Sequence, residues 1–190
     1  MKIKIMLFSL LLAGLSLGRA AAQNFSLGLE AGANFSNFLG ADVSTISGAN
    51  DSKLGLVGGG FLSLNFGNSF AIRPEVLYEQ KGNQISGTST STQLDYIEIP
   101  VLLKLSLGSP VVNPGILFGP SFAWNVVAKD AAGGNIPNIA TSDVGLVAGV
   151  EVDIDKFLVS GRYELGLDNV AQNVNIQNGT LTFLVGFSFM

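Results

Sequence analysis

Read in steps of two, the chain beyond about residue 24 separates into eight segments. In each, apolar residues hold one parity and polar, charged or glycine residues hold the other. Phe25 to Phe35 sets Phe25, Leu27, Leu29, Ala31, Ala33 and Phe35 against Ser26, Gly28, Glu30, Gly32 and Asn34. Leu54 to Phe66 carries Leu54, Leu56, Leu62, Leu64 and Phe66 on its apolar face. Phe70 to Lys81 opposes Phe70, Ile72, Val76 and Tyr78 to Arg73, Glu75 and Glu79. Gln93 to Leu107 opposes Ile97, Ile99, Val101, Leu103 and Leu105 to Tyr96, Glu98 and Lys104. Val112 to Val126 places Ile116, Phe118, Phe122 and Trp124 against Asn113, Gly115, Gly119, Ser121 and Asn125. Val144 to Ile154 places Leu146, Ala148, Val150 and Val152 against Gly145, Gly149, Glu151 and Asp153. Phe157 to Leu167 opposes Val159, Tyr163 and Leu165 to Ser160, Arg162, Glu164 and Gly166. Leu181 to Met190 closes the series, with Leu181, Phe183, Val185, Phe187 and Phe189 on one side and Thr182, Gly186 and Ser188 on the other.

A period of two is the signature of strands, whose successive side chains point to opposite faces. The segments are longer than the five or six residues usual in soluble sheets and match the roughly 9–11 residues with which a tilted strand crosses a bilayer. Their connections alternate in length. Gly67-Asn68-Ser69, Gly108-Ser109-Pro110 and Asp155-Lys156 are short, whereas 36–53, 82–92, 127–143 and 168–180 are long and rich in Ser, Thr, Asn, Gly and Asp. Short turns at one end and long loops at the other describe an outer-membrane barrel, with the turns periplasmic and the loops extracellular. The expected fold is therefore all-β, an eight-stranded antiparallel up-and-down transmembrane β-barrel.

Volume decides which parity faces lipid. The interior of an eight-stranded barrel is only wide enough for its lining side chains to meet. Glycines and the charges Glu30, Arg73, Glu75, Glu98, Lys104, Glu151, Arg162 and Glu164 fit that space better than the many Leu, Ile, Val and Phe of the other parity. A soluble barrel or sandwich is the alternative, and it would require its second face to be continuously solvated. Aromatic residues also collect at segment ends. Phe25, Phe66, Phe70, Phe157, Phe187 and Phe189 fall at the short-turn end, and Phe35, Tyr78 and Trp124 towards the long loops. Two interfacial belts are expected from rings held at headgroup level, although aromatics favour strands in any case. Pro74, Pro100, Pro114 and Pro120 fall within segments and are expected to mark bulges or local twist, because proline removes a ladder hydrogen bond. Gly58-Gly59-Gly60 is expected to pack strands closely against the polar lumen.

The N-terminus changes the picture of where the chain goes. Lys2 and Lys4 precede an apolar run from Ile5 to Leu17, and Ala20-Ala21-Ala22 follows. This is the pattern of a cleaved secretory signal peptide over residues 1–22, which leaves 23–190 as the barrel domain and implies export to the outer membrane. Removing 1–22 takes away Lys2, Lys4 and Arg19, so that 7 basic residues remain against 14 acidic ones in 168 residues. An acidic chain has no electrostatic footing on phosphate backbones, which argues against nucleic acid as a partner.

The chain contains neither cysteine nor histidine. Disulfides, Cys-His or Ser-His-Asp catalysis and imidazole metal ligation are thereby excluded. Asp153 and Asp155 form a two-carboxylate turn, which is ordinarily solvated rather than a calcium site. The Gly-rich run at 55–60 lacks the strand-to-helix turn of a dinucleotide site. No catalytic, cofactor-binding or metal residues are expected, and no cofactor. The remaining constellation is the set of lumen charges, which must be paired and hydrogen-bonded in so narrow a space. They are expected to form an ion-pair network that fills the lumen.

Two stretches, Phe70-Ala-Ile-Arg-Pro-Glu-Val-Leu-Tyr-Glu-Gln-Lys-Gly82 and Tyr96-Ile-Glu-Ile-Pro-Val-Leu-Leu-Lys104, resemble the PorT-like outer-membrane β-barrel family of Bacteroidota. Gly32-Ala-Asn-Phe-Ser36, Pro114-Gly-Ile-Leu-Phe-Gly-Pro120, Gly145-Leu-Val-Ala-Gly-Val150 and Arg162-Tyr-Glu-Leu-Gly166 extend the likeness over the whole chain after the signal segment. The resemblance implies an eight-stranded outer-membrane barrel. One detail departs from it: such barrels usually end on an aromatic residue, and here Met190 follows Phe189. A family name carries no function by itself. The sequence points first to a small non-enzymatic barrel in outer-membrane lipid, meeting a protein or glycan through its long loops. A narrow channel and a component of a secretion or assembly complex remain as alternatives.

Overall fold

The computed structural model describes residues 24–40, 50–85, 91–108, 111–130, 132–136, 139–170 and 175–189. The expected signal segment, Met190 and parts of the long loops lie outside the described residues. Eight strands follow one another: β1 (Asn24–Leu39), β2 (Asn50–Phe66), β3 (Phe70–Ile85), β4 (Ser91–Ser106), β5 (Val112–Lys129), β6 (Ser142–Ile154), β7 (Phe157–Gly166) and β8 (Gln177–Ser188). Each pairs antiparallel with its neighbour, and β8 closes on β1 from Gly28↔Ser188 to Leu39↔Gln177, giving a closed barrel. Closure leaves no unpaired edge, which is the condition for strands to cross a membrane. No helix among the described residues is long and apolar enough to do so.

The parity of the sequence becomes the two faces of the wall. Phe25, Leu29, Leu56, Val76, Phe118, Val150, Phe157, Phe183 and Val185 all lie more than half exposed on the outside. An apolar surface that encircles a barrel is far larger than a soluble monomer tolerates, and it marks the face that meets lipid. At the short-turn end the rings of Phe66 and Phe70 stand 5.4 Å apart, those of Phe157 and Phe187 5.2 Å, and those of Phe187 and Phe189 5.7 Å. These contacts build two aromatic clusters at the short-turn end, one across β2–β3 and one across β7–β8. Phe35, Tyr78 and Trp124 are exposed on the same outer face further up.

The strands run past this upper ring, which corrects the boundaries expected from the sequence. β3 continues seven residues beyond Tyr78, and the outward positions there are polar, Gln80 and Gln84. Residues 82–85 and 91–92, expected as loop, are strand, with β3 ending at Ile85 and β4 beginning at Ser91, and β8 begins at Gln177 rather than Leu181. Hydrophobic alternation could not show these extensions, because outside lipid both faces of a strand are polar.

The prolines do not mark the bulges. Register shifts lie between Ser52 and Val57 on the β2–β3 ladder and at Asp95/Tyr96 on the β4–β5 ladder. Pro74↔Val101, Pro100↔Ser121, Pro114↔Val152 and Pro120↔Leu146 all sit in regular register. A proline removes one donor without adding a residue, whereas a bulge requires the additional residue. Within the triple glycine only Gly59 faces inward, where a Cβ would meet the backbone of β3 at Val76-Leu77; Gly58 and Gly60 face outward, Gly58 with room for a side chain and Gly60 with the Gly28 carbonyl 3.3 Å from where its Cβ would lie.

Candidate functional site

Inward-facing positions carry the polar chemistry, and strand order along the barrel sorts it into two decks. Along β3 the inward residues run Arg73, Glu75, Leu77, Glu79, Lys81; along β4 they run Lys104, Leu102, Pro100, Glu98. The charges thus lie below and above a layer of leucines.

In the lower deck Arg73 Nη1 donates to Glu151 Oε2 at 2.6 Å and Lys104 Nζ to Glu151 Oε1 at 2.7 Å, so that β6 is tied to both β3 and β4 across the lumen. Lys104 also pairs with Asp153 nearer the mouth. Arg162 on β7 donates through Nη1 to Glu75 Oε2 at 2.6 Å and through Nη2 to Glu30 Oε2 at 3.2 Å, with Glu151 Oε2 at 3.6 Å. The Arg73 guanidinium stacks 4.6 Å over the ring of Phe61, which lines the same level. Three cations here face three fully enclosed carboxylates, Glu30, Glu75 and Glu151, and all six groups are buried.

In the upper deck a single cation serves three acids. Lys81 Nζ lies 2.6 Å from Glu98 Oε2 and 3.2 Å from Glu79 Oε2, and it pairs with Glu164 Oε2. Ser121 Oγ donates to Glu164 Oε1 at 2.7 Å, and the Tyr96 ring lies 5.7 Å from the ammonium. Gly145 makes room for this arrangement, because a Cβ there would stand 2.6 Å from Ser121 Oγ and 2.7 Å from Glu164 Oε1. The three glutamates each bring a carboxylate oxygen within 4.8 Å of the others. Such spacing surrounds a cation, and the Lys81 ammonium is that cation.

Between the decks Leu102, Leu117 and Val147 form one buried apolar cluster and Val57, Leu77 and Leu184 another. A void of about 10 Å³ remains beside Leu77, Glu79, Glu98, Arg162 and Glu164, at the lower limit for one water molecule. Above the upper deck Leu94, Tyr96 and Ala123 pack with Val170 and Ile176 from the β7–β8 connection, and Phe38, Ala128 and Ile139 join them. Backbone hydrogen bonds from Ala140 N to Val170 O and from Val170 N to Ile176 O, both 2.8 Å, fasten this cap. The lumen is occluded three times over, by ion pairs, by leucines and by folded-in loop.

All eight charges expected from the sequence face the lumen, Glu30, Glu75 and Arg162 meeting in one deck with Arg73, Lys104 and Glu151, and Glu98 and Glu164 in the other. The sequence reading missed the residue that joins the upper deck, Lys81. It stood at the end of its segment, yet its odd parity with Arg73, Glu75 and Glu79 was the available signal. It also missed the apolar interior. Leu77, Leu102, Leu117 and Leu184 break the equation of inward with polar, and only their parity gives them away. Asp153 is a partner of Lys104, while Asp155 occupies the β6–β7 turn with a φ of 55°.

A family model described as outer membrane protein beta-barrel domain matches residues 21–172. Among solved structures, Neisserial surface protein A superposes with a TM-score of 0.56 at 17% identity, covering 88% of this chain and 100% of that chain. Ail, the attachment invasion locus protein of Yersinia pestis, solved in complex with the heparin analogue sucrose octasulfate, gives a TM-score of 0.54 at 14% identity with the same coverage. The outer membrane enzyme PagL gives 0.53 at 12% identity, covering 81% of this chain and 98% of that one. At these identities the likeness is one of fold. No curated protein sequence matches the chain.

Proposed function

The chain belongs to the outer membrane protein beta-barrel domain family, and on that premise we propose that it is a closed, non-enzymatic scaffold that engages a protein or glycan partner through its extracellular loops. The occluded lumen carries this reading. A conduction path must pass the lower ion pairs, the leucine layer, the Lys81 cluster and the cap, and each is packed. The absence of histidine and cysteine from the chain supports a non-catalytic role, since the lumen carboxylates Glu30, Glu75, Glu98, Glu151 and Glu164 are engaged by lumen cations and line no substrate cleft.

The same reading takes residues 1–22 as a cleaved export signal and places the chain in the PorT-like group of Bacteroidota, on the motifs at 70–82 and 96–104. The partner follows from charge. Between residues 36 and 53, 82 and 92, 127 and 143, and 168 and 180 the only basic residues are Lys53 and Lys129, against several aspartates. Lys53 Nζ is taken up by the carbonyls of Lys81 and Thr92. A sulfated polyanion of the kind bound by Ail has no cationic footing here, whereas a neutral glycan needs none and a basic protein surface is complementary to the aspartates. The test is a pair of measurements on the full chain in bilayers. Planar recordings should stay silent, and binding to a panel of neutral and sulfated glycans and cell-surface proteins should favour the uncharged or basic ligands. Steady single-channel steps from the wild-type protein would refute the closed-scaffold reading.

A further inference from the structure

The two decks differ in charge balance, and the difference has a chemical consequence. The lower deck sets Arg73, Lys104 and Arg162 against Glu30, Glu75 and Glu151, an even match, with Asp153 partly exposed at the mouth. The upper deck sets Lys81 alone against Glu79, Glu98 and Glu164, all of them buried. Fully ionised, it would hold two uncompensated negative charges in a site enclosed by the barrel wall, the leucine layer below and the cap above. A buried charge without a counter-charge costs several kcal/mol even after relaxation. Something positive must accompany the three acids, in addition to the ammonium.

The groups that face this deck supply no further cation to the three acids. Asn34 stands on β1, Glu79 and Lys81 on β3, Glu98 and Tyr96 on β4, Ser121 on β5, Asp143 on β6, Glu164 on β7, and Asn178, Thr180 and Thr182 on β8. Lys53 of β2 lies above them on the inward parity, but its ammonium donates to the carbonyls of Lys81 and Thr92 and not to an acid. Arg162 borders the void from below, but its two terminal nitrogens are committed to Glu75 and Glu30. Glu79 Oε2 is buried and accepts no hydrogen bond, its 3.2 Å approach to Lys81 being out of line for one. Volume then selects the ligand. Lys81 Nζ fills the centre of the triangle, and the adjoining void of about 10 Å³ has no room for a metal ion with its water. A hydron needs no volume.

We propose that the upper deck is a proton-binding site, in which Glu79, Glu98 and Glu164 hold bound hydrons around the Lys81 ammonium. The balance is simple: each hydron taken from water adds one O–H bond at a carboxylate oxygen and cancels one of the two excess charges. The site lies above the leucine layer, so exchange with the outside passes through the cap rather than through the periplasmic mouth. The barrel thereby becomes sensitive to alkaline surroundings at its extracellular end, since the folded chain holds hydrons that the unfolded chain releases, and such stability falls as pH rises.

Infrared spectroscopy of the full chain in lipid at neutral pH tests the proposal directly. Wild type should show the carbonyl stretch of protonated carboxylic acid, shifted on transfer to D2O. Each of Glu98→Gln and Glu164→Gln should weaken the band, because glutamine mimics the protonated acid and removes one excess charge. The double variant leaves one acid with one ammonium and should lose the band while keeping the barrel. A wild-type spectrum without the band at neutral pH overturns the proposal whether or not any variant folds. So does a band that survives the double variant but vanishes in Glu75→Gln, which would place the hydron in the lower deck. Stoichiometric alkali or alkaline-earth metal in the purified protein, lost together with the barrel on chelation or dialysis, would also overturn it in favour of a metal ion.

Discussion

Replacing Arg162 by methionine tests whether the lower deck is a network or a set of coincident contacts. Arg162 bonds Glu75 at 2.6 Å and Glu30 at 3.2 Å, and among the described residues no other cation is hydrogen-bonded to either carboxylate. Glu151 keeps Arg73 and Lys104 and is little disturbed. The substitution leaves two enclosed carboxylates without their partner, and removing one member of a buried pair costs about 3–5 kcal/mol. With a urea dependence on the order of 2 kcal/mol per molar, the unfolding midpoint should fall by about 2 M. The chain carries one tryptophan, Trp124, on the lipid-facing surface, so its emission in lipid vesicles follows loss of the barrel. Glu30→Gln and Glu75→Gln added to the variant remove the stranded charges, and the triple variant should recover most of the loss, because a neutral replacement of a whole buried pair is often close to harmless. An unchanged midpoint for Arg162→Met, or a triple variant no better than the single one, would refute the network.

Three further outcomes are expected. Phe118→Arg, midway between Val112 and Trp124 on the outer face of β5, should destabilise the barrel by about 2–4 kcal/mol, whereas Val112→Arg at the turn end should cost about 0–1 kcal/mol; folding titrations in vesicles separate the two. Gly145→Ala drives a methyl into Ser121 and Glu164 and should lower the unfolding midpoint, while Gly58→Ala, whose nearest neighbour would lie 3.6 Å away, should be neutral or stabilising by roughly 0.5–1 kcal/mol. Joint truncation of Leu102, Leu117 and Val147 to alanine should admit water to the middle of the lumen, read as faster hydrogen exchange of the β4–β5 amides, and unchanged exchange would argue against the leucine layer as the seal.

The wall of the barrel was legible because lipid and lumen impose opposite demands on alternate residues, and Phe118 beside Gly119 or Val150 beside Glu151 records both. Legibility ended where one demand ceased. Past Tyr78 no lipid requires an apolar outer face, so the upper turns of β3 and β8 read as loop. Within the lumen, charges can be found by parity but not paired by it. Which glutamate meets Arg162 depends on a span of 87 residues to Glu75 and 132 to Glu30, set by barrel closure rather than by local spacing. The cap was illegible for a similar reason: Val170 and Ile176 are two apolar residues in a polar loop, and only the open mouth below gives them something to cover.

The length of β3 above Tyr78 has a mechanical consequence. Seven further residues at about 3.3 Å each, on a strand inclined by about 40°, raise the rim by roughly 15–20 Å. The headgroup layer on one side of a bilayer is about 5–8 Å deep. The sheet therefore rises as a collar well clear of the lipid heads, β3 staying paired to β4 as far as Gln84↔Ser91 and meeting β2 again at Ser52↔Asn83 beyond the register shift. Loops mounted on such a pedestal are presented to the outside at a fixed height and orientation, and a partner can reach them without first displacing lipid.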